Sequence, residues 1–329
     1  MEIRVLSAEE VQQALPMSVA IEAMKEAYTQ LSNGQASVPL RSRINVTQHE
    51  GITFFMPALL HNTQDMAVKI VSVFPRNPDK GLATITAVVI ALNSETGQPI
   101  AVLEGASLTA IRTGAASGAA TDLLARENTR SVAIFGSGVQ AKTQLEAVCT
   151  VRSIEQVWVY SLDEPGAKSF ISEMAGYGPI PTDISLVDRP NEAISNADVI
   201  CTATTSSTPV FNGSELKPGT HINAIGSFTP TMQEIDTETV RKARVVVDSR
   251  EAALAEAGDL IIPIEQGVIT ADWIYAELGE IVSGERPGRI DSVQITLFKS
   301  VGVAVQDAVA ASRALIGAEE AGLGQIIHL

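Results

Sequence analysis

The period of the hydrophobic positions changes along this chain, and each change marks a new kind of element. Ser7 to Glu10 forms a Ser-x-x-Glu capping box that opens a short helix. Met24, Ala27, Tyr28 and Leu31 then recur at helical spacing and predict a helix over 19–31. From residue 38 to 103 the pattern becomes short apolar runs, which predict strands over 40–46, 52–56, 67–74, 84–92 and 100–103. Gly51, the Pro75-Arg76-Asn77-Pro78 turn and Glu95-Thr96-Gly97 punctuate them. An Ala- and Gly-rich stretch over 109–126 reads as a helix suited to close packing.

After that helix, apolar runs alternate with helical patterns. The run 131–135 ends in Gly136, Gly138 and Ala141, the G-x-G-x-x-A form of the dinucleotide fingerprint. Gly136 would allow the tight strand-to-helix turn, Gly138 the approach of a pyrophosphate, and Ala141 close packing of helix on strand. The phosphates would rest on free N–H groups at the helix N-terminus. Ala141, Leu145, Val148 and Cys149 share one face of the following helix, and a second strand follows at 157–160. The bland alternative is a βαβ turn with no ligand.

Later strands are predicted at 199–203, 221–225, 245–248 and 294–298. Strands alternating with helices imply an α/β fold with a Rossmann-type, doubly wound parallel sheet over 128–302. The preceding residues, 1–127, form a separate α+β domain. A last helix over 303–316, with Val305, Ala308, Val309 and Ser312 on one side, can return to it, which makes that domain discontinuous (1–127 completed by 303–329).

Composition narrows the function classes. Lys and Arg number 23 against 38 Asp and Glu, a net charge of -15 over 329 residues. That field repels nucleic acid and anionic membranes, so neither is an expected partner. The start, MEIRVLSAEE, lacks a signal peptide's basic and apolar segments, and no apolar run reaches the roughly 18 residues of a membrane span. A cytoplasmic location is expected. Cys149 and Cys201 suggest neither a disulfide framework nor a metal, and His49, His61, His221 and His328 show no ligand spacing, so no metal is expected.

Several charges sit in unusual places. Lys69 lies in a run, 66–74, that is apolar on both faces, so its ammonium needs a partner or a lowered pKa. It is a candidate proton carrier or anion ligand, unless it snorkels at the sheet margin. Arg112 is the only charge in a long stretch of small and apolar residues. It would fork a carboxylate or phosphate, or pair with a buried acid. Arg41 and Arg43 share the polar face of one strand, and spacing alone does not choose between them. Together these cations suggest a basic pocket for a small carboxylate. After the second Rossmann strand stands Ser161-Leu162-Asp163-Glu164, where an acid would bind the ribose of NAD. With no cation before Lys168, NAD(H) is favoured over NADP(H).

These motifs resemble the ornithine cyclodeaminase/mu-crystallin family over nearly the whole chain. The resemblance rests on Phe55-Met56-Pro57-Ala58, Lys69-Ile70-Val71, Asn77-Pro78 with Gly81-Leu82, and Thr109 to Thr113. It continues through Gly136 to Ala141, His221 to Gly226, and Phe298 to Gly302. It implies a substrate domain made from both ends of the chain, a Rossmann domain between them, and a homodimer formed through the substrate domains. It selects Arg41 as the carboxylate-binding arginine, beside Lys69 and Arg112. It also implies cofactor positions at Thr84, Arg112, Gly136, Gly138, Val139, Gln140, Ser161, Asp163, Thr202, Ala224, Gly226, Ser227 and Val301.

Departures from the family pattern indicate the reaction. Cyclodeaminases carry an acid just before the Met-Pro pair and an aspartate two residues past the Asn-Ala-Ile-Gly segment. Phe54 and Phe228 stand there in this chain. A second, cationic amine would be left unpaired. The sequence therefore resembles the imine-reducing members. It implies NAD(P)H-dependent reduction of a small imino acid, with 1-pyrroline-2-carboxylate to L-proline as the leading case. Open-chain imines, as in alanine dehydrogenase or iminosuccinate reduction, are close variants. Ornithine cyclodeamination with recycled NAD, and a non-enzymatic binder of the mu-crystallin kind, are the alternatives.

Overall fold

A computed structural model describes residues 1–39 and 41–329. The chain begins β1 (Glu2–Leu6), α1 (Ala8–Ala14), α2 (Met17–Ser32), β2 (Ala36–Ser37), β3 (Ser42–Val46), β4 (Gly51–Leu60), β5 (Met66–Val73), β6 (Ile85–Leu92), β7 (Pro99–Glu104) and α3 (Gly105–Leu124). It continues with β8 (Ser131–Phe135), α4 (Val139–Val151), β9 (Gln156–Tyr160), α5 (Glu164–Met174), β10 (Ile184–Leu186), α6 (Pro190–Ile194), β11 (Val199–Thr202) and β12 (His221–Ala224). Then come α7 (Thr237–Lys242), β13 (Arg244–Val247), α8 (Arg250–Glu256), α9 (Gly258–Glu265), β14 (Ile274–Glu277), α10 (Leu278–Val282), β15 (Thr296–Lys299), α11 (Ala304–Ala321) and β16 (Gln325–His328). Contacts divide it into two units, Met1–Arg112 with Ala304–Leu329, and Thr113–Val303.

The first unit is built on a sheet ordered β16-β1-β7-β6-β5-β4-β2, with β3 also on β4. The Ser7 capping box forms as the sequence predicts and starts α1. The strands from β4 to β7 pair antiparallel, and one cross-strand row runs Met56, Lys69, Val89, Leu103. That row is buried, and α11 packs against β4, β5 and β6. Alanines along α11 permit close approach: a Cβ at Gly317 would stand 2.1 Å from the Ala14 carbonyl oxygen of α1. Because side chains alternate across a strand, the opposite face carries the rows Phe55, Ile70, Val88 and Pro57, Val68, Ile90, Val102. These residues are only half-buried.

Three of its strands, β1, β2 and β16, have no counterpart among the predicted elements. Each is short; β2 pairs with β4, and β1 and β16 pair with one another from opposite ends of the chain, Glu2 against His328. The strand predicted from residue 40 begins at Ser42, and residue 40 lies outside the described residues.

The second unit is a wholly parallel sheet ordered β10-β9-β8-β11-β12-β15-β13-β14. Every residue of β8 is buried, as expected where helices cover both faces. Strand order reverses between β8 and β11, and the crevice outside the carboxyl ends of such strands is where α/β sheets bind ligands. The predicted domain boundary at 127/128 moves to Arg112/Thr113, inside α3. The reason is packing in the second half of that helix. A Cβ on Gly114 would stand 2.5 Å from the Thr143 carbonyl oxygen of α4, and Gln144 Nε2 donates to the Thr113 carbonyl at 3.3 Å. Among the described residues no helix is long and apolar enough to cross a membrane.

Candidate functional site

In the first unit, Lys69 points from β5 into the core and is 3% exposed, so it does not snorkel. Its Nζ meets Asp307 Oδ2 of α11 at 2.7 Å. The other oxygen of Asp307 accepts from Arg112 Nε at 3.2 Å, and Arg112 Nη1 donates to Gln306 Oε1 at 2.7 Å. One buried carboxylate thus holds two buried cations from β5 and α3. The buried-acid reading of Arg112 is realised, and the same acid serves Lys69. Burial pushes the Lys69 ammonium down to about 8; Asp307 opposes the shift, while Arg112 and Arg41 add to it.

The structure also separates the two arginines that spacing left equal. Arg41 is half-buried and its guanidinium lies over the Phe54 ring, 4.9 Å from the centroid. Arg43 pairs with Phe54 across the β3–β4 ladder but is exposed. Thr84 sits just before β6, where its carbonyl accepts from Phe74 N at 2.8 Å.

In the second unit the fingerprint forms the expected turn. Gly136 has φ +104, a conformation that L side chains avoid, and a Cβ there would stand 2.6 Å from the Ala203 carbonyl oxygen. Gly138 is the N-cap of α4, with no side chain capping the helix and nothing within 4 Å of where its Cβ would be. The first-turn N–H groups of Val139, Gln140 and Ala141 have no partner within the helix. Open space beside an uncapped N-terminus is what a pyrophosphate requires, so these residues fit a dinucleotide. Val139 is 65% exposed, and Gln140 Oε1 is buried with no hydrogen-bond partner among the described residues.

Ser161 Oγ lies 3.2 Å from Ser137 Oγ, within the fingerprint turn. Asp163 is the N-cap of α5, its Oδ1 accepting from Gly166 N at 3.1 Å. Glu164, the next residue, pairs with Lys168 at 2.6 Å.

Thr202, Ala224, Gly226, Ser227 and Val301 all gather at the carboxyl ends of β11, β12 and β15. The acids that hold Thr202, Gly226, Ser227 and Val301 were not singled out from sequence. Glu234 accepts from Thr202 Oγ1, Gly226 N and Ser227 N, and Asp248 Oδ2 accepts from Val301 N at 2.9 Å. Phe228 is 45% exposed. Asp307, Asp259 and Lys299 were missed as well. Their signal was present in Lys299, a charge closing a buried strand, and in Asp307, an acid on an alanine-rich helix.

The family model described as the ornithine cyclodeaminase/mu-crystallin family matches residues 1–316. A Delta(1)-pyrroline-2-carboxylate reductase of Bacillus cereus is 41% identical over 325 residues, covering 98% of this chain and 99% of the relative. The structure of the Thermococcus litoralis Delta(1)-pyrroline-2-carboxylate reductase, in complex with NADH and L-proline, is 44% identical with a TM-score of 0.93, covering 98% of this chain and 99% of that one. An archaeal alanine dehydrogenase dimer with bound NAD is 37% identical with a TM-score of 0.91, covering 100% of both chains.

Proposed function

This chain belongs to the ornithine cyclodeaminase/mu-crystallin family, and from that premise we propose that it is an NAD(H)-dependent reductase converting a cyclic ketimine, 1-pyrroline-2-carboxylate, to L-proline. The observation that carries this reading is the Lys69–Asp307–Arg112 cluster, in which two buried cations share one buried carboxylate. A cluster with more positive than negative charge suits an anionic substrate group. Arg41, stacked on Phe54, adds a third cation whose repulsion reaches Lys69.

A bound reduced nicotinamide supplies the hydride that reaches the carbon of the C=N bond. The chain's own residues do the rest. Arg41 and Arg112 hold the carboxylate. Lys69 Nζ supplies the proton that the ring nitrogen takes as the double bond becomes single, and water later restores it. With a pKa near 8, Lys69 holds that proton at neutral pH and can still release it. Phe54 supports an imine over a diamine, since a ring beneath Arg41 offers no acid to a second ammonium.

Two further features refine the reading. Ser161 stands where NAD enzymes of this fold place the ribose acid, and the nearby lysines Lys142 and Lys168 are paired with Glu173 and Glu164. That arrangement supports NAD(H) over a cofactor with an additional phosphate. The half-buried apolar rows on the outer face of the first unit's sheet support a homodimer.

The test offers purified protein NADH or NADPH with pyrroline-2-carboxylate, piperideine-2-carboxylate, pyruvate plus ammonia, or oxaloacetate plus ammonia. Ornithine with catalytic NAD runs in parallel. The highest kcat/KM is expected with pyrroline-2-carboxylate and NADH. Ammonia release from ornithine without net cofactor change would overturn the reductase reading. Cofactor binding with no turnover of any substrate would reduce it to a binding protein.

A further inference from the structure

We propose that Glu234 is a positioning residue for the nicotinamide half of the dinucleotide site, a buried carboxylate that ties the loops after β11 and β12 into one preformed surface. This rests on reading the second unit as a dinucleotide-binding domain, and deepens it.

Glu234 is 0% exposed yet makes an unusual number of contacts. Its Oε1 accepts from Thr204 N at 2.6 Å and Thr204 Oγ1 at 2.7 Å. Its Oε2 accepts from Thr202 Oγ1 at 2.8 Å, Gly226 N at 2.7 Å and Ser227 N at 3.2 Å. Three of these donors are backbone N–H groups that cannot reverse their role, so both carboxyl oxygens are held as acceptors. A carboxylate at this depth needs a countercharge. Burial pushes the proton affinity of Glu234 up and Asp259 adds to the rise, while Lys299, closing β15 with its Nζ 2.9 Å from Asp259 Oδ2, and the hydrogen bonds from Thr204 oppose it. Asp259 Oδ1 in turn accepts from Glu234 N at 2.7 Å and Ile235 N at 2.9 Å. The ends of β11, β12 and β15 are therefore joined through Glu234, Asp259 and Lys299.

Location gives this knot its function. In a doubly wound sheet the fingerprint turn takes the pyrophosphate and the strand beside it takes the adenosine ribose. The opposite half-sheet, beginning at β11 and β12, is left for the other nucleoside, which bears the reacting ring. Glu234 lies directly under that half. Gly226 packs so closely that a Cβ there would stand 2.4 Å from Glu234 Oε1 and 2.2 Å from the Thr204 carbonyl oxygen. Ser227 is fixed twice, by its N–H on Glu234 and by its Oγ, which donates to the Met232 carbonyl at 2.8 Å. Phe228, the next residue and 45% exposed, is presented from that fixed point.

A purely structural role would weaken every part of the cofactor alike, so the test compares two ligands. Binding of NADH is followed by its fluorescence, and binding of ADP-ribose, which lacks only the nicotinamide, by calorimetry. Glu234→Gln keeps the shape but sets an NH2 group against N–H and O–H donors. It is expected to raise the Kd for NADH by about tenfold or more while changing that for ADP-ribose by less than about twofold. Thr204→Val, which removes one hydroxyl from the knot, is expected to act in the same direction by about threefold, and it decides the matter if Glu234→Gln does not fold. Equal losses for both ligands, or no loss for either, overturn the proposal. Wild-type protein that binds neither NADH nor NADPH refutes the dinucleotide reading itself, a separate outcome.

Discussion

Lys69 of β5 and Asp307 of α11 meet at 2.7 Å with side chains only 3% and 1% exposed. Burial lowers the lysine's proton affinity to about 8, and Asp307 limits the fall. The ammonium form predominates below that value and is lost above it. If Lys69 gives its proton to the substrate nitrogen, kcat/KM for imine reduction is level through neutral pH and falls about tenfold per pH unit above about 8. Lys69→Arg, whose guanidinium does not titrate there, is expected to abolish that limb along with most of the activity. A wild-type profile level to pH ~10 excludes Lys69 as proton source.

Asp307→Asn tests the same pair from the other side. It leaves Lys69 and Arg112 buried without their shared countercharge. Loss of one partner of a buried ion pair costs about 3–5 kcal/mol, readable by urea denaturation. Because Asp307 raises the proton affinity of Lys69, removing it also moves the alkaline limb to lower pH. Unchanged stability and an unmoved limb together would falsify the role given to Asp307.

Arg112 has a structural partner and is also assigned to the substrate, and the two roles separate kinetically. Arg112→Ala is expected to lower kcat/KM for the imine by about 100-fold, about 3 kcal/mol, as loss of a charge-assisted contact to a carboxylate requires. A loss of less than about threefold at temperatures where the variant is folded means that Arg112 only buttresses Asp307.

How far these residues could be read from sequence depends on how local their constraints are. Gly136 was legible because φ +104 and a carbonyl at 2.6 Å admit little else. The strands β4 to β7 were legible through their apolar runs. Asp307 was not, since Arg112 lies 195 residues away and nothing nearby marks the acid as a partner. The choice of Arg41 over Arg43 needed the β3–β4 register and the stacking on Phe54. The cap at Asp163 was legible as well: an acid followed by Glu164-Pro165 is a helix N-cap with proline in the first turn. β1 and β16 escaped because their partners are distant in sequence: β1 lies between β16 and β7, and β16 pairs with β1.

The outer face of the first unit's sheet predicts the assembly. Ile70 stands in the row Phe55, Ile70, Val88, half-buried and apolar. Ile70→Glu places a charge at the centre of that face while leaving the Lys69 side untouched. Light scattering is expected to give twice the chain mass for wild type and the single-chain mass for the variant. An unchanged mass for Ile70→Glu rules out this face as the dimer interface.

Gly136 and Gly138 are two residues apart and should fail in different ways. At Gly136 an alanine meets φ +104 and the Ala203 carbonyl, so Gly136→Ala is expected to destabilise the fold by about 1–3 kcal/mol in denaturant titration. Gly138 has φ -80, ψ -174, a conformation open to any residue, and no atom lies within 4 Å of the added methyl. Gly138→Ala therefore keeps its stability to within about 1 kcal/mol, the gain from a stiffer unfolded chain offset by the poorer fit of alanine at a helix N-cap. The space its methyl enters is the space assigned to the pyrophosphate, so NADH affinity is expected to fall by about tenfold or more, read by fluorescence titration. A Gly138→Ala protein that binds NADH as wild type does means that the phosphates rest elsewhere, and that the opening at the head of α4 is an ordinary turn.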